Sequence, residues 1–415
     1  MTMVANKVTK GYRMTELGEI PMEWEIQTLD DISIKILDGV HSTPSYTKEG
    51  IKFLSVENIT NENFTATKYI SLEDHLEYSK RCNVEKNDIL MTRIGTLGIP
   101  RLVDWDFESS IYVSLALIKL KNKRQAKFLA QYMRSDIFLK EVMKRSLLNA
   151  TPQKINLGDI GKIPVILPSF NEQQQIAEIL SALDQQIEIT NQLIEKIKEL
   201  KKGLMQQLLT KGIGHSEFKQ TELGEIPVVW ELKTLGQSCH VIMGQSPKGD
   251  SYNTNGTGIP LLNGPTEFGD RHPKVIQWTT SPTKFCEAND ILFCVRGSSI
   301  GRMNIANQRY CIGRGLAAIR QGKDTITKYI GYILEHKIEQ VLKNTSGSTF
   351  PNITKDELNG VSLPIPSIEE QNKIVDILST VDEQIKSYEQ EKEKYTKLKK
   401  GLMQQLFTGK LRVTV

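Results

Sequence analysis

Around the start of the second half of this chain, Glu217-Phe-Lys219 and Glu231-Leu-Lys233 each place a glutamate two residues before a lysine. That pattern is half of a metal-dependent nuclease site. The equivalent earlier stretch at Glu25 has Gln27 where the lysine should be, so the pair reads as a solvated charged segment. Other reactions lack their residues too. Cys82, Cys239, Cys286, Cys294 and Cys311 form no C-x-x-C pair, and an odd number closes no disulfide framework, so reduced buried thiols are expected. The six histidines show no H-x-x-x-H or H-E-x-x-H spacing for zinc. No G-x-x-x-x-G-K-[ST] loop or G-x-G-x-x-G turn is present. Without any Pro-Pro dipeptide, the Asn-Pro-Pro-aromatic motif of adenine-amino methyltransferases is missing as well. The chain is expected to hold no catalytic residue, no cofactor and no metal.

Composition bounds the partners only loosely. Of 415 residues, 53 are basic and 49 acidic, a net charge of +4 that neither proves nor opposes a nucleic-acid partner. No run of about 18 apolar residues exists to span a membrane, and Met1–Lys10 lacks an apolar signal core. A cytoplasmic protein of two or three domains, with no membrane partner, is expected.

The elements that would position any site are written twice. Thr15-Glu-Leu-Gly-Glu-Ile-Pro21 recurs as Thr221-Glu-Leu-Gly-Glu-Ile-Pro227, and Trp24, Thr28 and Leu29 recur in step as Trp230, Thr234 and Leu235. Lys201-Lys-Gly-Leu-Met-Gln-Gln-Leu208 recurs as Lys399-Lys-Gly-Leu-Met-Gln-Gln-Leu406, with Pro168-Ser169 matched by Pro366-Ser367 and Asp184 by Asp382. Identity over eight consecutive residues marks a tandem duplication. The ends of the copies match while the interiors agree only in outline. A shared frame carries two different interiors.

Each copy ends in a long helix. Ser169-x-x-Glu172 and Ser367-x-x-Glu370 read as capping boxes behind a proline. Beyond them Ile176, Leu180, Leu183, Ile187, Ile194, Ile197, Leu204 and Leu208 follow alternating 4,3 spacing, broken by Thr190 and Lys201. Ile374, Leu378, Val381, Ile385, Tyr388, Tyr395, Leu402 and Leu406 repeat that grid, broken by Lys392 and Lys399. A narrow apolar seam of this kind belongs to helices that pair along their length, each about 57 Å long at ~1.5 Å per residue. Antiparallel pairing brings Leu180 near Leu402 and Leu204 near Leu378.

The interiors read as mixed and β-rich. Ile51–Val56, Ile89–Thr92, Ile111–Leu120 and Ile291–Val295 are strand-like, whereas Ala126–Lys144 and Ile326–Lys343 are helical. Gly39-Val-His-Ser-Thr-Pro-Ser-Tyr46 parallels Gly244-Gln-Ser-Pro-Lys-Gly-Asp-Ser-Tyr252. Asn87-Asp-Ile-Leu90 parallels Asn289-Asp-Ile-Leu292, each leading to an arginine beside a glycine, Arg93-Ile-Gly95 and Arg296-Gly297.

These residues resemble the specificity subunit of type I restriction–modification enzymes. The match is carried by Leu-Gly-Glu-Ile-Pro-x-x-Trp at 17–24 and 223–230, by Pro168–Gln173 and Pro366–Gln371, and by the repeated helix ends; it covers the chain after about Tyr12. The resemblance implies an α+β chain in a pseudo-two-fold tandem repeat, its two β-rich mixed target-recognition domains separated by two long helices paired as an antiparallel coiled coil. Residues 1–165 would be the first recognition domain, 166–211 the first long helix, 212–363 the second recognition domain, and 364–415 the second helix and tail. It implies a non-catalytic subunit whose two domains each read half of a split site in double-stranded DNA. Methyltransferase subunits, two of them, would supply S-adenosylmethionine chemistry, and restriction subunits the ATP and Mg-dependent steps. The DNA sequence read is not implied.

Such recognition needs polar side chains on loops held by a rigid frame. Arg93 and Arg296 are first candidates, since a guanidinium fork suits guanine edges or phosphates, although an arginine beside a glycine can equally be structural. His41, Ser42, Thr43, Ser45 and Tyr46 form one candidate loop, and Gln245, Ser246, Lys248 and Tyr252 the other; an ordinary Pro/Gly turn is the plain alternative. Gln153 and Lys154 in the first copy, and Ser348, Thr349, Asn352 and Lys355 in the second, precede the last element of each interior. A coiled-coil adaptor joining two proteins without nucleic acid explains the seams. It does not explain why the interiors diverge inside a fixed frame.

Overall fold

Pro168 and Pro366 disfavour helix at the residue before them, and a serine follows each to start one. In the computed structural model, which describes residues 8–343 and 352–413, the helices run Phe170–Leu208 and Ile368–Leu406. The chain forms two units: residues 1–191 with 390–415, and residues 192–389.

In the first unit, a four-stranded antiparallel sheet has the order Ser33–Asp38, Leu115–Leu120, Ile89–Thr92, Pro100–Leu102. Beside it lies a three-stranded sheet in which Ile51–Leu54 runs parallel to Ser109–Ile111. The second unit repeats this plan with Cys239–Met243, Leu316–Gln321, Ile291–Cys294 and Met303–Ile305, and pairs Ile259–Leu262 parallel to Tyr310–Ile312 in a five-stranded sheet. In each, a strand after the tryptophan pairs with the strand before the long helix: Glu25–Thr28 with Pro164–Leu167, and Glu231–Thr234 with Ser362–Ile365. That pairing closes the interior between two framing strands.

Three expected elements differ in their bounds by more than one residue. The run from Ile51 stops at Leu54, because Ser55 opens the helix Val56–Thr60. The run from Ile111 to Leu120 is two strands of different sheets, parted by a turn at residues 112–114. The helical stretch from Ala126 breaks into Ala126–Tyr132 and Asp136–Arg145, since Ser135 is extended and its side chain caps Phe138 N.

The frame converges on a carboxylate at the head of each long helix. Glu172 is 3% exposed. It accepts from Ser169 Oγ at 3.0 Å, from Trp24 Nε1 at 3.2 Å and from Arg412 Nε at 2.8 Å. Glu370 accepts from Trp230 Nε1 at 2.9 Å, from His215 Nε2 at 2.8 Å and from Ile213 N at 3.0 Å. The second capping box is therefore half made: Ser367 Oγ accepts from Glu370 N at 3.3 Å, while the Glu370 carboxylate turns to the tryptophan and the preceding loop. The neighbouring glutamines tie back to the prolines, Gln173 Nε2 to Pro168 O at 2.9 Å and Gln371 Nε2 to Pro366 O at 3.0 Å.

Every apolar position on the helical grid is buried or half-buried. In the first unit Ile176 and Leu180 share a core with Met403, Leu406 and Phe407, with Leu402 packed against it. In the second, Leu208, Ile374 and Leu378 share a core with Leu204 packed against it. Within the first unit Asp184 pairs with Lys399, and Asn191 with Lys392; within the second, Lys201 pairs with Asp382 at 2.9 Å and Lys198 with Glu389 at 3.7 Å. As one partner's number rises the other's falls, so the helices are antiparallel within each unit, in the register expected. Of the lysines that interrupt the seam, Lys201 and Lys399 each meet an aspartate, and Lys392 meets the amide of Asn191. Thr190, 1% exposed, instead donates its hydroxyl to Gln186 O at 2.8 Å.

All five cysteines are buried and unpaired. Among the described residues no cluster of His, Cys, Asp or Glu could hold a metal, and no helix is long and apolar enough to cross a membrane.

Replacing Glu172 by Gln leaves the shape but removes the charge that Arg412 and Trp24 address. It should lower stability by about 2 kcal/mol in urea unfolding; an unmoved midpoint would deny the carboxylate its role. Lys337, buried in the helix Thr327–Lys343, donates to Ser362 O at 2.9 Å, and burial pulls its pKa from 10.5 to about 8, against the opposing pull of Glu222. Between those values the unfolded chain binds more protons than the folded one, so stability should rise with pH from about 8 to 10.5. In Lys337→Met that part of the slope should vanish, as measured by unfolding across the same pH range.

Candidate nucleic-acid interface

Glycines set the first loop of each candidate site. A Cβ on Gly39 would lie 1.9 Å from Ile111 O, and one on Gly244 2.1 Å from Gly313 O. Only glycine lets the end of that strand approach the neighbouring turn so closely. The next residue is then pinned, Val40 N to Ile111 O and Gln245 N to Ile312 O, both at 2.9 Å.

In the first unit His41, Ser42, Thr43, Ser45 and Tyr46 are exposed while Pro44 is buried and anchors them. Tyr46 stands edge-on to Phe53, with the Lys68 ammonium 4.4 Å from its ring centre. Gly95 N donates to Gln153 O at 2.8 Å and Ile94 bridges Lys154, leaving Gln153 and Lys154 exposed. The segments around 41, 93 and 153 thus meet at one end of the four-stranded sheet, on separate loops.

Arg93 does not join that exposed surface, which corrects the expectation for it. It is 8% exposed, and its fork is committed inward: Nη1 to Asp38 Oδ2 at 3.1 Å and to Val113 O at 2.9 Å, Nε to Ile155 O at 3.2 Å. Burial pulls its pKa below the ordinary value, and Asp38 opposes that pull. Asp38 is itself 4% exposed and also accepts from Arg81 Nη2 and His41 Nε2, both at 3.1 Å. Arg93 is therefore a positioning residue that ties together the ends of three chain segments.

In the second unit the same end of the sheet gathers Gln245, Ser246, Arg296 and Asn352. Arg296 is exposed and its backbone bridges Asn352; Ser246 Oγ accepts from Arg314 N at 3.1 Å. Lys248 is exposed. Tyr252 lies apart on an edge strand of the five-stranded sheet, its hydroxyl donating to Pro247 O at 3.3 Å. Lys355 is exposed and opens the short helix Lys355–Asn359. Ser348 and Thr349 lie outside the described residues.

Backbone bonds show that the two arginines are not equivalent. Ile155 N donates to Arg93 O at 3.0 Å, and Ile353 N to Val295 O at 2.9 Å, so Arg93 stands where the second copy has Val295. Ala116 pairs with Asp38 and Ala317 with Met243, so the aspartate stands where the second copy has methionine. A buried ion pair in one copy is an apolar pair in the other. Asp38, Arg81 and Arg314 escaped the sequence reading. The acid directly before Gly39 and the Gly-Arg-Gly triplet at 313–315 were visible signals, whereas Arg81 left none.

That exchange makes a test. Removing one partner strands a buried charge and costs roughly 3–5 kcal/mol, while a well-packed apolar pair is often neutral. Asp38→Met alone and Arg93→Val alone should each be strongly destabilising, and the double variant should recover most of the loss. A double-mutant cycle by chemical denaturation reads it. Additive losses would show that the pair is not coupled.

The comparisons with known proteins agree with one another. The family model described as type I restriction modification DNA specificity domain matches residues 21–199 and 227–397. The putative type I restriction enzyme MjaX specificity subunit of Methanocaldococcus jannaschii is 34% identical, with 97% of each chain covered. The type I restriction enzyme EcoBI specificity subunit of Escherichia coli is 28% identical over 40% of this chain and 35% of its own. Among solved structures, a chain from work on assembly and conformational transition of the type I R-M system superposes with TM-score 0.61 at 24% identity, covering 94% of this chain and 99% of that one. The S subunit from M. genitalium gives 0.60 at 19%, covering 94% and 97%, and both of these show the fold alone. Two specificity domains on one recognition subunit, which is not itself an enzyme, account for the duplicated frame and its two loop clusters. The chain belongs to the type I restriction modification DNA specificity domain family, as a specificity subunit.

Proposed function

We propose that the two loop clusters read the two halves of a split duplex-DNA site, each cluster reading its own half. The observation that supports this most directly is the contrast between copies. The frame repeats down to individual hydrogen bonds, whereas the side chains at the loop end of the sheet differ in charge and shape. Duplicated parts that did one identical job would have no use for that difference.

The long helices and the framing strands then serve as the scaffold for methyltransferase subunits, two per chain, which bring S-adenosylmethionine. Restriction subunits bring ATP and Mg. This chain contributes only recognition and placement, acting in the cytoplasm where cellular DNA lies. Phosphate contacts by exposed lysines such as Lys154 and Lys248 would position the duplex, and the amide, hydroxyl and guanidinium groups beside them would select the bases.

The test is an interior exchange. Residues 29–163 lie between the framing strands Glu25–Thr28 and Pro164–Leu167. Replacing them with the interior of another such subunit, and mapping methylation at base resolution with the cognate methyltransferase, should change one half of the recognised sequence and leave the other intact. If both halves change together, the interiors read jointly and the proposal fails.

A further inference from the structure

The first copy also identifies what is peculiar to the second. Tyr112 N donates to Leu54 O, Leu115 N to Tyr112 O and Arg93 N to Ser114 O, each at 2.9 Å. In the second copy Gly313 N donates to Leu262 O at 2.7 Å, Leu316 N to Gly313 O at 3.1 Å and Val295 N to Gly315 O at 2.9 Å. Position by position, Arg314 stands where the first copy has Val113.

The turn that carries Arg314 is fixed on both flanks. A Cβ on Gly313 would lie 2.3 Å from Asn263 Oδ1, and one on Gly315 2.5 Å from Asn263 O. Between them Arg314 N is held by Ser246 Oγ at 3.1 Å. The side chain nevertheless is exposed, and among the described residues its guanidinium has no hydrogen-bond or ion-pair partner. Arg296, also exposed and unpartnered among the described residues, is one residue beyond the bond from Val295 to Gly315. By contrast, Arg93 and Arg81 in the first unit both spend their charge on Asp38. Gln245 and Asn352, both exposed, complete the surroundings of Arg314 and Arg296. Arginine, glutamine and asparagine are the side chains whose paired donors and acceptors match base edges, arginine matching guanine O6 and N7.

We infer that Arg314 is a specificity-determining residue of the second unit, its fork reading a guanine in that unit's half-site. The inference rests on the DNA-reading function proposed above and adds the base and the residue. A rigidly held backbone suits base recognition, because a bidentate contact needs a set direction, which a phosphate contact does not.

The full chain with its methyltransferase subunit is the system to test, by base-resolution mapping of methylated sites. Arg314→Val installs the residue that the first copy already carries at this place, so folding should be kept, and a thermal melt checks it. The expected result is roughly ten- to a hundredfold lost discrimination at one G·C position of one half-site, with the other half-site unchanged. Arg314→Lys keeps the charge without the fork, and should relax the same position while largely preserving overall DNA affinity. An unchanged half-site in both variants overturns the inference. So does a uniform loss of binding across sequences in Arg314→Val, with a salt slope smaller by about one and rescue by lysine, since that is a phosphate contact. If the wild-type complex directs no methylation to a split site, the DNA-reading function itself falls, and Arg314 with it.

Discussion

A carboxylate at the head of each long helix holds the frame together. Glu172 and Glu370 sit where the helix leaves four backbone donors unpaired and where the helix dipole favours negative charge. Each also accepts the indole N–H of the tryptophan that starts its copy, Trp24 or Trp230. One side chain thus joins the beginning of a unit to the element that ends it. This accounts for the company the motifs keep. Leu-Gly-Glu-Ile-Pro-x-x-Trp brings the donor, Pro-Ser-x-x-Glu-Gln brings the acceptor, and the glutamine seals the turn against the proline carbonyl. The third partner differs, Arg412 from the chain's end in one unit and His215 from the linker in the other. Both follow a glycine at positive φ, Gly409 or Gly212, whose bare Cα packs where a Cβ would strike Pro21 or Trp230.

The seam between the helices obeys a second electrostatic rule. Lysines on an apolar grid would be costly without partners, and each of the two equivalent ones faces an aspartate. Their surroundings are unequal. Lys201 meets Glu335 as well as Asp382, and the two carboxylates outweigh burial to hold its pKa above the ordinary value. Lys399 has Asp184 and, close by, the repelling Arg134, so burial prevails and its pKa is lowered. Such pairs fix register, because sliding one helix past the other would strand the charges.

The frame was legible in the sequence because duplication supplies its own control. Repeated residues could be told from varied ones without any relative, and the 4,3 grid needed only periodicity. The loops were less legible, for a physical reason. Asn87 precedes Arg93 by one residue fewer than Asn289 precedes Arg296, and sequence alone treats both arginines as the same feature. The difference reverses their fates, since one position faces Asp38 inside the sheet and the next faces outward. The break at Ser135 and the split of the Ile111–Leu120 run were hidden likewise. A serine within a helical period and a short turn within an apolar run are weak signals until tertiary packing chooses between them.

What the two copies share at their loop ends is backbone, and what they vary is side chain. The bonds from residue 155 to 93 and from 353 to 295, and from 93 to 114 and from 295 to 315, survive complete changes of residue type at Arg93/Val295 and Ser114/Gly315. A ladder made of main-chain groups does not depend on which side chains hang from it. The positions beside it, Ile94/Arg296 and Val113/Arg314, can therefore change chemistry without unmaking the turn that presents them. Even the buried place has two stable solutions, an ion pair in one copy and methionine with valine in the other. Recognition can diverge on such a scaffold because the energy that orders the loops is stored in groups that every residue except proline possesses.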